Sequence, residues 1–285
     1  MDLNGRRTSS NVDDRRGVSG GAKAGMGIGG LLVAALLGWL LTGNPFSFVS
    51  SSDLGSLVTT QTTHELTQEE EELAEFSSKI LASTEDVWTK VFEQYGRSYV
   101  APKMVLFTGS VQTGCGGATS QVGPFYCSAD QALYIDLSFF TSMKEQLGAD
   151  GDFAYAYVIA HEVGHHVQNL LGTLSQVNSI RAKSNETKSN EYSVRLELQA
   201  DFYAGVWGHY ENKFFGSLEK GDLEEALKCA QKIGDDWLQK QARGYSVPES
   251  FTHGTSAQRE KWLKLGLDTG DLNKGDTFSP AYSAL

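Results

Sequence analysis

The chain of 285 residues has only three cysteines and five prolines. No cysteine stands in a C-x-x-C pair, so a zinc site built from thiolates is not expected. Cys115 and Cys127 close the short loop TGCGGATSQVGPFYCS and are expected to form a disulfide. Cys229, on the apolar face of a later helix, is expected to be a buried thiol. Basic residues are in deficit, 24 against 35 acidic ones, for a net charge of −11. That balance argues against nucleic acid as a partner, because phosphates call for a basic surface. No internal repeat is visible. Few prolines and 40% hydrophobic residues fit a folded globular chain rather than a disordered one.

Charge is also absent from AGMGIGGLLVAALLGWLLT, residues 24–42. The segment before it carries +2, which leaves −13 for the rest of the chain. A membrane-crossing helix needs about 20 largely apolar residues, and Trp39 would serve as an interfacial anchor. No A-x-A cleavage site follows, so a retained transmembrane helix is expected rather than a signal peptide. The match of Gly25–Gly30 to G-x-G-x-x-G is rejected as a dinucleotide loop, since no strand precedes it. The resulting expectation is a single-pass membrane protein. Residues 1–23 form a disordered basic cytoplasmic tail, 24–42 the transmembrane helix and 43–64 a linker. A domain over 65–285 then lies outside the cytoplasm, in a periplasm or at a cell surface.

Within that domain the patterns alternate between helix and short strand. Thr67 with Glu70 makes a capping box that opens a helix to about Ala82. Ser83 or Thr84 is expected to cap a second helix, EDVWTKVFEQY. MVLF (104–107) and ALYIDL (132–137) read as strands that flank the cysteine loop. Three long helical runs follow: GDFAYAYVIAHEVGHHVQNLLG, EYSVRLELQADFYAGVWGHYENKF and GDLEEALKCAQKIGDDWLQKQARG. Thr255 with Gln258 forms another capping box, before QREKWLKLGL.

The first of the long helical runs contains AHEVGHHVQN. His161 and His165, four apart, project from one helix face and can hold one metal ion between them. Glu162 is offset by one position, so it does not face that ion squarely but can reach a water held there. This is H-E-x-x-H, two imidazole ligands and a carboxylate base. The bland alternative is a pair of ordinary core or surface histidines. His166 points about 100° away around the helix and reads as a packing or surface residue. A catalytic zinc takes three protein ligands and keeps an open position. Gln168 and Leu171 exclude the longer extension H-E-x-x-H-x-x-G-x-x-H. The second run offers Glu197 and Asp201, four apart in RLELQADFYAG among apolar neighbours. Two carboxylates there are costly without partners. A metal for one and the free N–H of a ligand histidine for the other would satisfy both; ion pairs with Arg195 or Lys183 are the alternative.

HEVGH followed by ELQAD resembles the gluzincin pattern H-E-x-x-H plus E-x-x-A-D. Together with the N-terminal apolar segment, GPFYCSADQALYIDLSFF and SFTHGTSAQREKW, the chain resembles the putative neutral zinc metallopeptidase family of bacteria over residues 100–270. The resemblance implies a mostly helical α+β fold of zincin type with a small β-sheet, and Zn²⁺ as cofactor. It implies His161, His165 and Glu197 as metal ligands, Glu162 as catalytic base, and Asp201 as the carboxylate behind a ligand histidine. One departure is Phe202, where relatives often carry Cys. SFTHGTSAQR also resembles the segment whose histidine holds the oxyanion in membrane-linked gluzincins, which makes His253 a second catalytic candidate; a histidine capping a turn is the alternative. Arg259 has either substrate, the neighbourhood of Glu197 or a surface carboxylate as its partner. His209 lies about 18 Å along its helix from Glu197, too far to share a metal, and His64 falls in the linker.

The expected function is zinc-dependent hydrolysis of a peptide or protein substrate, with ALYIDL as an edge strand that binds the extended chain. A catalytically silent, zinc-stabilised, membrane-tethered binding or envelope-assembly module is the alternative. The presence of Glu162 favours the enzyme.

Overall fold

A computed structural model describes residues 1–17, 19–20, 61–62 and 66–285. Its elements are β1 (Val12–Asp14), β2 (Ser19–Gly20), β3 (Gln61–Thr62), α1 (Gln68–Gln94), β4 (Lys103–Phe107), β5 (Ser110–Thr113), β6 (Gly116–Thr119), β7 (Phe125–Cys127), β8 (Ala132–Asp136), α2 (Ser138–Ser142), α3 (Asp152–Leu171), α4 (Thr173–Arg181), α5 (Glu186–Phe215), α6 (Asp222–Lys232), α7 (Asp235–Arg243) and α8 (Ser256–Thr269). The architecture is mostly helical α+β with small sheets.

Strands β1, β4, β8 and β7 form one sheet in that order; the first three are parallel, and β7 is antiparallel to β8. All five residues of β8 are buried, as are four of the five in β4. A strand covered on both faces reads as a continuous apolar run rather than as alternation, and MVLF and ALYID do so. Because β8 lies between β4 and β7, it is not the open strand that was expected. The sheet ends at β7 instead.

Two helix boundaries also differ from expectation. Helix α1 runs unbroken through Ser83 and Thr84. The Ser83 hydroxyl donates to Glu211 Oε2 (2.6 Å) and accepts from Trp207 Nε1 (2.8 Å), and the Thr84 hydroxyl donates to the Leu81 carbonyl (2.7 Å). These hydroxyls serve tertiary packing and turn-to-turn bonding, so they do not compete for a cap. The run over 222–243, in contrast, breaks at Gly234 into α6 and α7. A Cβ on Gly234 would lie 2.3 Å from the backbone nitrogen of Ser256, so close packing of α8's first turn sets the break.

Residues 1–17 overturn the disordered tail over that range. Strand β1 pairs with β4 in the domain's own sheet. Arg16 is 2% exposed; it grips Asp14 with two nitrogens (2.9 and 2.7 Å) and the Glu70 carbonyl with a third (2.6 Å). Arg7 pairs with Glu85 (2.8 Å) and Asp86 (2.7 Å), and Arg6 with Glu211 (3.4 Å). Arg6 and Arg7 are thus spent on acids of α1 and α5, and Arg15 and Arg16 pair with Asp13 and Asp14 of β1. A segment hydrogen-bonded into the sheet cannot sit across a membrane from it. Among the described residues no helix is long and apolar enough to cross a membrane. The membrane-anchored, extracytoplasmic placement is therefore withdrawn. Residues 24–42 and nearly all of 43–64 lie outside the described residues.

The two motif helices meet at their smallest residues. A Cβ on Gly164, inside HEVGH, would sit 2.9 Å from the carbonyl oxygen of Ala200, inside ELQAD. Gly205 and Gly266 make a similar crossing, with Cα and carbonyl atoms of α5 and α8 too close for any side chain. These contacts hold α3, α5 and α8 at the distances their polar side chains need. Gly164→Val should cost about 1–3 kcal/mol through overpacking and reduce the zinc retained on purification. A thermal midpoint and zinc content equal to wild type would show that the crossing has slack.

Candidate metal centre

His161 and His165 rise from one face of α3 toward Glu197 on α5. His161 Nε2 lies 3.1 Å from Glu197 Oε2, and His165 Nε2 lies 3.5 Å from Glu197 Oε1. The three ligand atoms fall within 4.8 Å of one another. The rear nitrogens decide what lies between the front ones. His161 Nδ1 is 2.8 Å from Asp201 Oδ1, and His165 Nδ1 is 2.9 Å from Gln168 Oε1. The Gln168 amide nitrogen donates to the Leu196 carbonyl (2.8 Å) and to Gln199 Oε1 (3.2 Å), so its oxygen is the acceptor. Both Nδ1 atoms therefore carry hydrogen, and in neutral rings both Nε2 lone pairs face a carboxylate. Such an arrangement needs a cation at its focus, either protons on the rings or a metal.

The electrostatics agree. Burial lowers the affinity of the His161 ring for a proton, but the charge of Asp201 and hydrogen bonds to Asp201 and Glu197 outweigh it and raise its pKa to about 10. His165 is also raised, Glu197 overcoming burial. Burial would raise Glu197, but the charges of His165 and His253 and the bonds from both ligand rings hold it well below the usual carboxylate range. Four-coordinate zinc with ligands about 2.0–2.1 Å away places those ligands roughly 3.3 Å apart. The observed 3.1 and 3.5 Å, one to each oxygen of Glu197, lie near that spacing, and each residue offers an atom within 4.8 Å of the others, so the donor set is compatible with the ion.

Asp201 is completely buried. It accepts hydrogen bonds from Tyr157 (2.6 Å), from His161, and from Arg259 Nε (2.8 Å) and Nη2 (2.9 Å). Burial alone would raise its carboxyl pKa, but the charges of Arg259 and His161 bring it down to about 2. This settles Arg259, whose partner is Asp201 rather than a surface carboxylate. Arg195 donates to the carbonyls of Thr277 and Pro280 and so is not the ion-pair partner that the bland alternative needed.

Glu162 differs from both other acids. It is buried beside the ligand pair, yet no hydrogen bond engages its carboxylate among the described residues. Its pKa is raised by burial, against the pull of His161 and His165. His253 sits on the same cleft. Asp235, which opens α7, accepts the backbone N–H groups of Thr252 (2.8 Å), His253 (2.7 Å) and Gly254 (3.0 Å) on one oxygen. Its other oxygen is 3.4 Å from His253 Nδ1.

A family model described as "Putative neutral zinc metallopeptidase" matches residues 1–278. The chain belongs to this family. It is 50% identical to the uncharacterized protein YpfJ of Escherichia coli K12 across 98% of this chain and 99% of that one. It is 45% identical to the uncharacterized proteins Rv2575 of Mycobacterium tuberculosis H37Rv and Mb2605 of Mycobacterium bovis, across 70% of this chain and 68% of each of theirs. No solved structure matches.

In this neutral zinc metallopeptidase family member the centre opens into a cleft of ≈ 470 Å³. Phe125 and Tyr126 of β7 line one side, and Leu174, Arg181 and Leu196 line the helical side. The β5–β6 ribbon forms part of the wall, and the Cys115–Cys127 disulfide ties its turn to β7. His166 turns away into the core. Its Nε2 is 2.7 Å from the Val100 carbonyl and its Nδ1 is 2.9 Å from the Tyr126 hydroxyl. His209 bonds the Leu267 carbonyl (2.9 Å); His64 lies outside the described residues. Three supporting residues went unread in the sequence. Tyr157 and Gln168 could have been found, four positions before His161 and three after His165 on the same helix face. Asp235 could not, because only the fold brings α7 beneath His253.

Proposed function

We propose that the protein is a zinc-dependent peptidase that hydrolyses peptide bonds at this centre. One observation carries the reading: two imidazole Nε2 atoms with their rear nitrogens satisfied converge on Glu197 at tetrahedral-ligand spacing. His161, His165 and Glu197 would hold the ion. Zinc supplies a Lewis acid that brings the pKa of a water to about 7. Glu162, unengaged and made more basic by burial, takes as its carboxylate a proton from the attacking water and returns it to the leaving amine. His253, steadied by Asp235, donates to the developing oxyanion. Asp201 and Gln168 fix the ligand rings in the tautomer that points Nε2 forward. An extended peptide adds to the free edge of β7, where Phe125 and Tyr126 face the cleft.

The test is metal analysis of the purified full chain, followed by digestion of a diverse peptide library, read by mass spectrometry. Equimolar zinc, cleavage abolished by chelation and restored by zinc are expected. Full zinc occupancy with no cleavage at all would replace the enzyme by a zinc-stabilised binding module.

A further inference from the structure

Beyond the metal centre the cleft wall has a charge character unlike the rest of the molecule. The chain carries −11 overall, yet the carboxylates that line the cleft are Glu162 and Glu197, both in the centre itself. Two arginines also line it, and Arg259 is committed to Asp201. The other is Arg181, the last residue of α4. Its Nε donates to the Ser189 hydroxyl on α5 (3.3 Å). Its two terminal nitrogens make no hydrogen bond or ion pair among the described residues. A cation suits the C-terminal turn of a helix, which accounts for the residue type there. It does not account for a guanidinium that is half-buried, aligned by Ser189, turned onto the cleft wall and left without an acid in so acidic a chain.

We propose that Arg181 binds a carboxylate of the peptide that occupies the cleft, so that the preferred substrates carry an acidic side chain or their own C-terminus at a set distance from the scissile bond. This rests on the peptidase reading of the site. Ser189 precedes Glu197 by eight positions on α5, about 12 Å of helix axis. An extended peptide advances about 3.3 Å per residue, so the carboxylate belongs about three to four residues from the bond that is cut. Guanidinium and carboxylate match as an end-on or forked pair with charge-assisted hydrogen bonds. The acidic exterior of the protein repels such peptides elsewhere, and Arg181 gives them one place to dock.

The probe is a set of fluorescent apolar peptides of one length, each with a single aspartate at a different position. The set is duplicated with free and with amidated C-termini to separate the two sources of the carboxylate. Binding is read by anisotropy on zinc-loaded Glu162→Gln, and cleavage on the wild type. One favoured aspartate position, or a preference for the free C-terminus, should raise affinity and kcat/KM about tenfold or more. The preference should vanish in Arg181→Ala and invert toward lysine peptides in Arg181→Glu, with zinc content unchanged. Peptides that bind or are cut without positional preference, or a preference that survives Arg181→Ala, would overturn the assignment. Arg181-dependent binding without any cleavage would leave it standing and remove the peptidase reading instead. No binding at all would remove both.

Discussion

Glu162→Gln is expected to keep its zinc and lose turnover by about 10²–10⁴-fold, the usual contribution of a positioned general acid–base group. The substitution is nearly isosteric and leaves Asp201, Gln168 and both ligand rings untouched, so the donor set stays assembled. Only the proton acceptor is removed. The structure favours Glu162 for the role over the other two acids by elimination of partners. Asp201 is saturated by Tyr157, His161 and Arg259, and Glu197 faces both ligand nitrogens. Glu162 is buried, borders the cleft and is engaged by neither. Parallel measurement of metal content and of peptide kcat on the two proteins checks this; wild-type kcat in the variant would remove Glu162 from the chemistry.

Asp201→Ala should have the largest effect on stability. The change strands the Arg259 guanidinium, 3% exposed, with a positive charge and no acid. Breaking one side of a buried ion pair typically costs about 3–5 kcal/mol. His161 also loses the acceptor that sets its tautomer, which should weaken zinc binding by about 10–100-fold. The double variant Asp201→Ala with Arg259→Met should regain part of the stability, because the stranded charge is gone, but none of the zinc affinity. Denaturation midpoints and competitive zinc titration separate the two effects. Unchanged values for the single variant would show that Asp201 anchors neither partner. The pH dependence has a definite sign. The folded-state pKa of Asp201 is depressed to about 2, against about 3.9 in an unfolded chain. Its contribution to stability is complete above that unfolded value and is lost as pH falls toward 2.

The parts legible in sequence were those written in short-range periodicity. HEVGH and ELQAD each place two polar groups four apart on one helix face, and that spacing survives any tertiary arrangement. The caps at Thr67, Thr255 and Gly172 are local in the same sense. The readings that failed depended on long-range partners. Arg6 and Arg7 look like a topology signal only while Glu85, Asp86 and Glu211, far along the chain, are unknown as their partners. ALYIDL looks like an edge because nothing in its sequence announces that β7 turns back beside it. Ser83 looks like a cap until Glu211 and Trp207 claim its hydroxyl.

By itself, then, the sequence determined which groups can grip a metal and which helix carries each, since an α-helix repeats every 3.6 residues whatever surrounds it. Tertiary structure alone decided that His161, His165 and Glu197 come together. Gly164 lets α3 come within contact of Ala200, and Gly205 against Gly266 brings Arg259 over Asp201. The distances between ligands on separate helices follow from how near two backbones can pack, and that depends on side chains more than thirty residues apart meeting in space.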